Sequence, residues 1–150
     1  MATGDTVSTA RVPAAAWKLG LAGLLPFGAL AIGVALGLDH AETGLLNYGA
    51  LILSFMGGCR WGFAAAGLGQ GASFSMLGIS VLPALYAWAV LLMPFAPAAL
   101  ALSVGFLGLY LADRALTKTG GAPDWWTNLR TPLSAGACLA LITPALLRLS

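Results

Sequence analysis

Five runs of apolar residues, separated by short polar segments, dominate this sequence and limit what it can fold into. A helix needs about 20 predominantly apolar residues to cross the hydrocarbon core of a bilayer, and runs of about that length recur along the chain. They predict an all-α integral membrane protein, a bundle of about five transmembrane helices with no soluble domain. The predicted helices cover approximately residues 17–38, 45–66, 74–93, 98–112 and 129–147 of a single membrane domain, 1–150, after a flexible tail at residues 1–15.

The scarcity of charge supports the same fold class. Only 8% of the residues are charged and 59% are apolar, whereas about 25% of residues are charged in ordinary soluble domains. Most of the protein surface must therefore face lipid. The net charge is only +2 without a basic stripe, which excludes the electrostatic footprint of a nucleic-acid-binding protein. Cys59 and Cys138 lie within apolar runs and are interpreted as small buried residues, not as disulfide partners or metal ligands.

The basic residues predict the orientation of the bundle. The cytoplasmic ends of transmembrane helices carry an excess of Lys and Arg. If the N-terminus lies inside, only Arg148 falls on the outer side, and six basic residues fall on the inner side: Arg11, Lys18, Arg60, Arg114, Lys118 and Arg130. The sequence therefore predicts an N-in, C-out topology. The first apolar run exceeds the roughly 7–15 residues of a signal-peptide core, so we expect it to be retained, in a bacterial plasma (inner) membrane.

The second predicted helix carries a small residue at every fourth position. Helices in membranes associate through close van der Waals contact, which small side chains permit, so this spacing predicts a helix-packing stripe. The stripe either packs against other helices of this chain, which is the favoured interpretation, or faces another membrane protein. It consists of Ala50, Ser54, Gly58, Gly62 and Ala66.

Arg60 is the most informative charged residue, because it lies within an apolar run. An arginine inside the membrane costs a few kcal/mol unless it finds a partner or reaches the interface. Helical side chains lean toward the helix N-terminus, which for Arg60 is away from the cytoplasm, so a partner is expected. The favoured partner is Asp113, and the expected surroundings are Trp61, Trp126, Asn128 and Arg130. The pair either only joins two helices or belongs to a functional site.

Three segments resemble a known membrane family. They are Leu19–Phe27 (LGLAGLLPF), Leu51–Gly62 (LILSFMGGCRWG) and Pro123–Leu133 (PDWWTNLRTPL). They resemble the family that includes transmembrane protein 69, present in bacteria and in mitochondria, whose motif reads approximately ILSFLGGx(H/R)WG and later PxW(Y/W)xxLR. Met56 stands where that family usually has Leu, and Arg60 where many members have His. The resemblance implies five helices but no activity, since the family's function is unknown, and it highlights Ser54, Gly57, Gly58, Arg60, Trp61 and Arg130.

The sequence carries no convincing catalytic or metal-ligand signature. The single histidine, His40, is expected in an outer loop, and no acidic residue is predicted near the membrane middle, so acid–base and metal chemistry lack their usual groups. The first hypothesis is a non-enzymatic accessory, assembly or scaffold component of a membrane complex, without a cofactor. The alternative is a binder or carrier of a lipid-like or anionic small molecule at the cytoplasmic leaflet, because basic pockets between helices bind lipid head groups. The expected partners are membrane lipids and, under the first hypothesis, another integral membrane protein or complex.

Overall fold

The computed structural model describes residues 11–150, and all regular secondary structure in that range is α-helical. The prediction of an all-α protein is therefore confirmed. Of the predicted tail at residues 1–15, positions 1–10 lie outside the described residues, and the first helix already begins at Ala14. The helical segments are α1 (Ala14–Ala22), α2 (Leu24–Ala35), α3 (Ala41–Ala65), α4 (Phe74–Val90), α5 (Phe95–Lys118) and α6 (Trp126–Leu149).

Helices α1 and α2 together form one apolar stretch, Ala14–Ala35, of 22 residues. The break between them has a local cause, because Pro26 has no N–H to donate to the carbonyl of Ala22, four residues earlier. At the break itself, the Tyr48 hydroxyl of α3 donates a hydrogen bond to the Gly23 carbonyl at 2.8 Å. The six segments thus correspond to the five predicted helices.

Within residues 11–150, three helical stretches are long and apolar enough to cross a membrane: the stretch formed by α1 and α2, then α5 and α6. Helix α4 is apolar but has only 17 residues, and α3 has 25 residues but contains Asn47 and Arg60. The outward faces carry large apolar side chains, such as Leu25 at 72% exposure and Leu92 at 75%. Such a surface supports integration in a membrane, because soluble proteins rarely expose large contiguous apolar areas.

The core lies where the first helix (α1 and α2 together), α3 and α5 meet. The Phe27 ring packs edge-on against Tyr48 and Phe106, with ring centroids 4.9 and 6.0 Å away. Leu45 and Leu102 are completely buried around these rings. The closest helix pairs are α5 with α6 and α3 with α4. Helix α3 also packs against α2, α5 and α6, so it is central to the bundle.

The two ends of the bundle carry different polar groups. At one end α3 and α5 finish while α4 and α6 begin, and Arg60 lies close to this end, which we call the Arg60 end. At the opposite end α6 finishes beside the start of α3. There Arg148 Nε donates to Glu42 Oε1 at 2.6 Å, and we call it the Glu42 end.

Helices α5 and α6 are longer than predicted. Helix α5 begins before Pro97, since the N–H groups of a first helical turn have no helical partner and proline is tolerated there. It continues to Lys118, so Asp113 lies inside the helix rather than at its end. Helix α6 begins at Trp126, which places Trp126 and Arg130 four residues apart on one helix face.

The favoured interpretation of the small-residue stripe, packing against other helices of this chain, is wrong over most of its length. Ala50 is buried and accepts a hydrogen bond from the half-buried Ser54, but Gly58, Gly62 and Ala66 are exposed. A Cβ added at Gly58 or Gly62 would meet no atom within 4 Å. With 3.6 residues per turn, a step of four residues rotates by about 400°, so the stripe turns by about 40° at each step and leaves the buried face. Its alternative interpretation, a surface facing another protein, stays a hypothesis.

Gly57, rather than its neighbour Gly58, makes the close helix–helix contact. A Cβ at Gly57 would lie 2.9 Å from ring carbons of Pro83 and 2.9 Å from the carbonyl oxygen of Ser80, both on α4. Such a distance is too short for any added atom. The absence of a side chain at Gly57 therefore allows α3 and α4 to approach each other.

Candidate functional site

Three helices bring four polar side chains together at the Arg60 end. Arg60 of α3 donates from Nη1 to Oδ1 of Asp113 on α5 at 3.0 Å. On α6, Arg130 donates from Nε to Asp113 Oδ2 at 3.1 Å, and Trp126 donates from Nε1 to the same oxygen at 3.0 Å. We call these four residues the buried charge cluster. One carboxylate thereby joins α3, α5 and α6.

The cluster is almost entirely enclosed by the protein. The exposed fraction is 0% for Asp113, 2% for Arg130 and 6% for Arg60. Moving a charge from water into a protein interior costs several kcal/mol unless the charge is paired and hydrogen-bonded. Asp113 meets this condition, because it accepts hydrogen bonds from both arginines and from Trp126.

The arginines meet this condition only in part. Arg60 Nε and Arg130 Nη2 are buried and have no hydrogen-bond partner among residues 11–150. Arginine stays protonated in proteins, so two guanidinium groups share one carboxylate and the cluster carries a formal excess of one positive charge. Such an arrangement can hold one further anionic group through charge-assisted hydrogen bonds.

Aromatic rings surround the α6 side of the cluster. The guanidinium carbon of Arg130 lies 6.0 Å from the centre of the Trp126 ring, within range of a cation–π interaction. Phe63 and Trp125 pack edge-on against Trp126, with centroid distances of 4.9 and 5.9 Å. The helical spacing of four residues places Trp126 beside Arg130, so the same indole lies near the guanidinium and donates to the Asp113 carboxylate.

A cavity of about 290 Å³ lies beside Arg130, between the first helix (α1 and α2), α3 and α6. We call it the Arg130 cavity. Among residues 11–150, Arg130 is the only charged residue in its lining, and the remainder is almost entirely apolar, including Leu19, Leu24, Phe27 and Met56. The lining of the cavity is thus apolar apart from one cationic side chain.

A second, more open cavity of about 380 Å³ lies beside Arg60, between α3, α4 and α5. We call it the Arg60 groove. Arg60 is the only charged residue that the described part of the chain contributes to it, and its apolar lining includes Leu53, Pro83 and Val104. The two cavities share no lining residue. Each cavity therefore has its own arginine, and both arginines bind the same carboxylate.

The structure brings together most, but not all, of the side chains predicted for this site. Arg60 contacts Asp113 as expected, while Trp126 and Arg130 bind the same carboxylate directly. The expected pair is therefore a group of three charges. Its functional role stays a proposal.

Two predicted neighbours, Trp61 and Asn128, lie outside the cluster. Trp61 is 48% exposed and Asn128 is also exposed. Successive residues project about 100° apart around a helix. Because Arg60 points into the bundle, Trp61 points away from it. Asn128 likewise lies on a different side of α6 from Trp126 and Arg130.

The sequence did not reveal the Arg130 cavity. The spacing of Trp126, Arg130 and Ser134 could have placed these three on one face of α6, since positions four apart are neighbours on a helix. In contrast, no pattern in the first helix indicates that Gly20 and Leu24 face α6. Ser134, which has a buried hydroxyl without a partner among the described residues, was also missed.

The polar groups of the site suit an anion better than a metal ion. Within residues 11–150, no group of three or more His, Cys, Asp and Glu side chains could hold a metal. Arginine and the tryptophan indole have N–H donors and no acceptor. The donors of the cluster that remain available therefore match carboxylate, phosphate or similar oxygen acceptors.

Comparisons with known proteins identify relatives but no activity. Residues 12–146 match the family described as "Protein of unknown function (DUF3429)". The chain is 40% identical over 138 residues to transmembrane protein 69 of Xenopus tropicalis, and the match covers 87% of this chain and 53% of that protein. The chain therefore spans about half the length of this curated relative. No solved structure matches the chain.

Proposed function

We propose that this chain, which belongs to the family described as "Protein of unknown function (DUF3429)", binds a single-chain anionic amphiphile such as a fatty acid in the Arg130 cavity. The resemblance to transmembrane protein 69 predicted from the sequence is confirmed. The name of that relative and the apolar helices support a protein integrated in a membrane. The observation that carries the proposal is a buried excess positive charge beside an apolar cavity.

The charge of the cluster favours an anionic end on the ligand. Arg130 lines the cavity, and its buried Nη2 has no partner among the described residues. A carboxylate placed there would neutralise the excess charge and accept a charge-assisted hydrogen bond. A neutral ligand could accept the hydrogen bond but would leave the excess charge in place.

The size and lining of the cavity favour one chain. Ligand pockets in proteins typically measure about 300–1,000 Å³, and the Arg130 cavity, at about 290 Å³, lies at the lower limit. Its apolar walls suit an alkyl or polyene chain. A phospholipid with two chains would exceed this volume, so the proposal is restricted to single-chain amphiphiles.

A binding measurement tests this proposal. The purified protein is placed in phosphatidylcholine nanodiscs and titrated with cis-parinaric acid, a fluorescent fatty acid that accepts energy from tryptophan. We expect saturable binding by the wild type and a loss of about tenfold or more in affinity for Arg130→Met, because a hydrogen bond to a charged group contributes about 1.5–3 kcal/mol. Arg130→Lys, which keeps the charge, should retain part of the affinity.

Arg148→Met is the matched control, because it removes an arginine from the opposite end of the bundle. It should bind the probe as the wild type does. Arg130→Met leaves Arg60 and Asp113 as a neutral pair, so the protein should remain folded, which a thermal melt verifies. Equal affinities for the wild type and Arg130→Met would contradict the proposal.

We also infer that five helices cross a bacterial plasma membrane, with the N-terminus and the Arg60 end at the cytoplasmic side. The basic residues support this orientation, because Lys18, Arg114 and Lys118 belong to helix ends at the Arg60 end while Arg148 lies at the Glu42 end. The charge cluster would then face the cytoplasmic leaflet.

Cysteine labelling in intact cells tests the orientation. A Thr119→Cys variant, made in a background without Cys59 and Cys138, should resist an impermeant thiol reagent until the membrane is opened. Thr119 is exposed and directly follows α5, so it is accessible once the reagent enters. Labelling in intact cells would reverse the inferred topology.

A second candidate function is an accessory or scaffold role in a membrane complex. The observation that favours it is the exposed part of the small-residue stripe, Gly58, Gly62 and Ala66, where another helix could approach closely. A photocrosslinking amino acid at Gly62 should then capture one defined membrane protein in cells. Crosslinks to lipid alone would contradict this role.

A further inference from the structure

The Arg60 groove is lined by an arginine that has its own unsatisfied donor, separate from the Arg130 cavity. Arg60 is 6% exposed, its Nε has no partner among the described residues, and it lines the groove. The polar group of Tyr86 in the same lining is already satisfied, since its hydroxyl donates to the Ala101 carbonyl at 2.7 Å. Among these two residues, Arg60 is therefore the one with a donor that an anionic ligand could satisfy.

The position of Arg60 matches the depth of a lipid head group. Arg60 lies five residues before Ala65, the last residue of α3, which is about 7.5 Å along a helix. The groove extends from there along Leu82 and Val104 toward the middle of the bundle, and Val104 is 66% exposed. A lipid in the bilayer can thus place its head group at Arg60 and its chains along the groove without entering the protein.

We propose that an anionic phospholipid of the surrounding bilayer binds in the Arg60 groove and thereby weakens binding of the single-chain amphiphile at Arg130. The second part rests on the proposed function. The two sites are coupled because Asp113 binds Arg60 at 3.0 Å and Arg130 at 3.1 Å.

Charge balance gives the sign of this coupling. The three charged side chains carry a formal excess of one positive charge, so one bound anion makes the cluster neutral. A second anion would leave an excess negative charge at the same buried place, which is unfavourable because charges interact strongly where the effective dielectric constant is low. Coupling of this kind is reciprocal, so each anion lowers the affinity for the other.

The experiment compares probe binding in two kinds of nanodisc. The affinity for cis-parinaric acid is measured in pure phosphatidylcholine and in phosphatidylcholine mixed with phosphatidylglycerol. A negative disc surface also repels the anionic probe from every variant equally, so the informative quantity is the difference between variants in the same discs.

Two glycine variants separate groove occupancy from this general repulsion. Gly108 lines the groove and Gly58 lines neither cavity, and a Cβ at either position would meet no atom within 4 Å. Gly108→Leu should fill the groove without removing a charge, and Gly58→Leu is the matched control. Val104→Trp, at another exposed groove position, is a second blocking variant in case Gly108→Leu folds poorly.

We expect phosphatidylglycerol to lower the probe affinity of the wild type and Gly58→Leu by about fivefold or more, beyond its effect on Gly108→Leu and Val104→Trp. An equal decrease in all four proteins would overturn the inference while leaving the proposed function intact. If the wild type shows no saturable probe binding in pure phosphatidylcholine, the proposed function fails instead. If inorganic phosphate reproduces the wild-type decrease in pure phosphatidylcholine, a soluble anion occupies the groove and the assignment to phospholipid is wrong.

Discussion

The two ends of the bundle both pair arginine with a carboxylate, but the pairs differ in burial. At the Glu42 end, the Arg148 and Glu42 side chains are 49% and 37% exposed, although their 2.6 Å contact is the shorter one. At the Arg60 end, Asp113 is completely buried and its contacts are 3.0 and 3.1 Å long. Exposed pairs contribute about 0–1 kcal/mol, whereas breaking a buried pair costs about 3–5 kcal/mol. Burial, rather than distance, therefore determines how much each pair matters.

Loss of Asp113 should have the largest effect on stability. Asp113→Asn keeps the shape of the side chain but leaves Arg60 and Arg130 without a counter-charge, so we expect a loss of at least about 3–5 kcal/mol. The measurement is the melting temperature and the folded yield in mild detergent. Melting close to that of the wild type would mean that the cluster is much better solvated than its burial indicates.

The arginines provide the internal control for this prediction. Arg60→Met or Arg130→Met leaves one guanidinium with Asp113, a neutral pair, so each should cost less than Asp113→Asn. The triple variant that combines Asp113→Asn with both arginine substitutions should recover stability, because the cluster then contains no charge. A double variant lacking Arg60 and Asp113 should recover less, since Arg130 would remain unpaired. This order would exclude a simple pair of Arg60 and Asp113.

Two adjacent glycines of α3, one buried and one exposed, should respond differently to the same substitution. Gly57→Leu places bulk 2.9 Å from Pro83 and the Ser80 carbonyl, and overpacking of this kind typically costs about 1–3 kcal/mol. Gly58→Leu enters open space and replaces a poor helix former, a change worth about 1 kcal/mol in favour of the helix. Thermal melts in the same detergent compare them. Equal destabilisation by both would mean that the buried face of α3 is assigned incorrectly.

Loss of Arg148 should have the smallest effect. The pair with Glu42 is exposed, so Arg148→Met should change stability by less than about 1 kcal/mol, and added salt should reduce even that difference through screening. Melting curves at low and high salt measure it. A loss as large as that of Asp113→Asn would remove the distinction between the two ends.

The candidate site could be predicted from the sequence only in part. A buried Arg60 needs an acidic partner and the chain has few acidic residues, so Asp113 could be predicted as that partner. The role of Arg130 as a second cation on Asp113 depended on α6 beginning at Trp126, a boundary that the apolar run did not mark. Trp61 and Asn128 were placed wrongly because nearness along the chain says nothing about which side of a helix a residue faces.

The sequence by itself determined that this protein is helical and suited to lipid. Its long apolar runs with so few charges are stable in a bilayer rather than in water, and a helix satisfies their backbone hydrogen bonds there. Only the tertiary structure decided how each helix is rotated, and with it the cavities, the contact at Gly57 and the sharing of Asp113 by two arginines. The physical reason is that lipid is as apolar as the protein core. A helix that is apolar on every side can turn any face inward, so close packing and the few buried charges select the rotation.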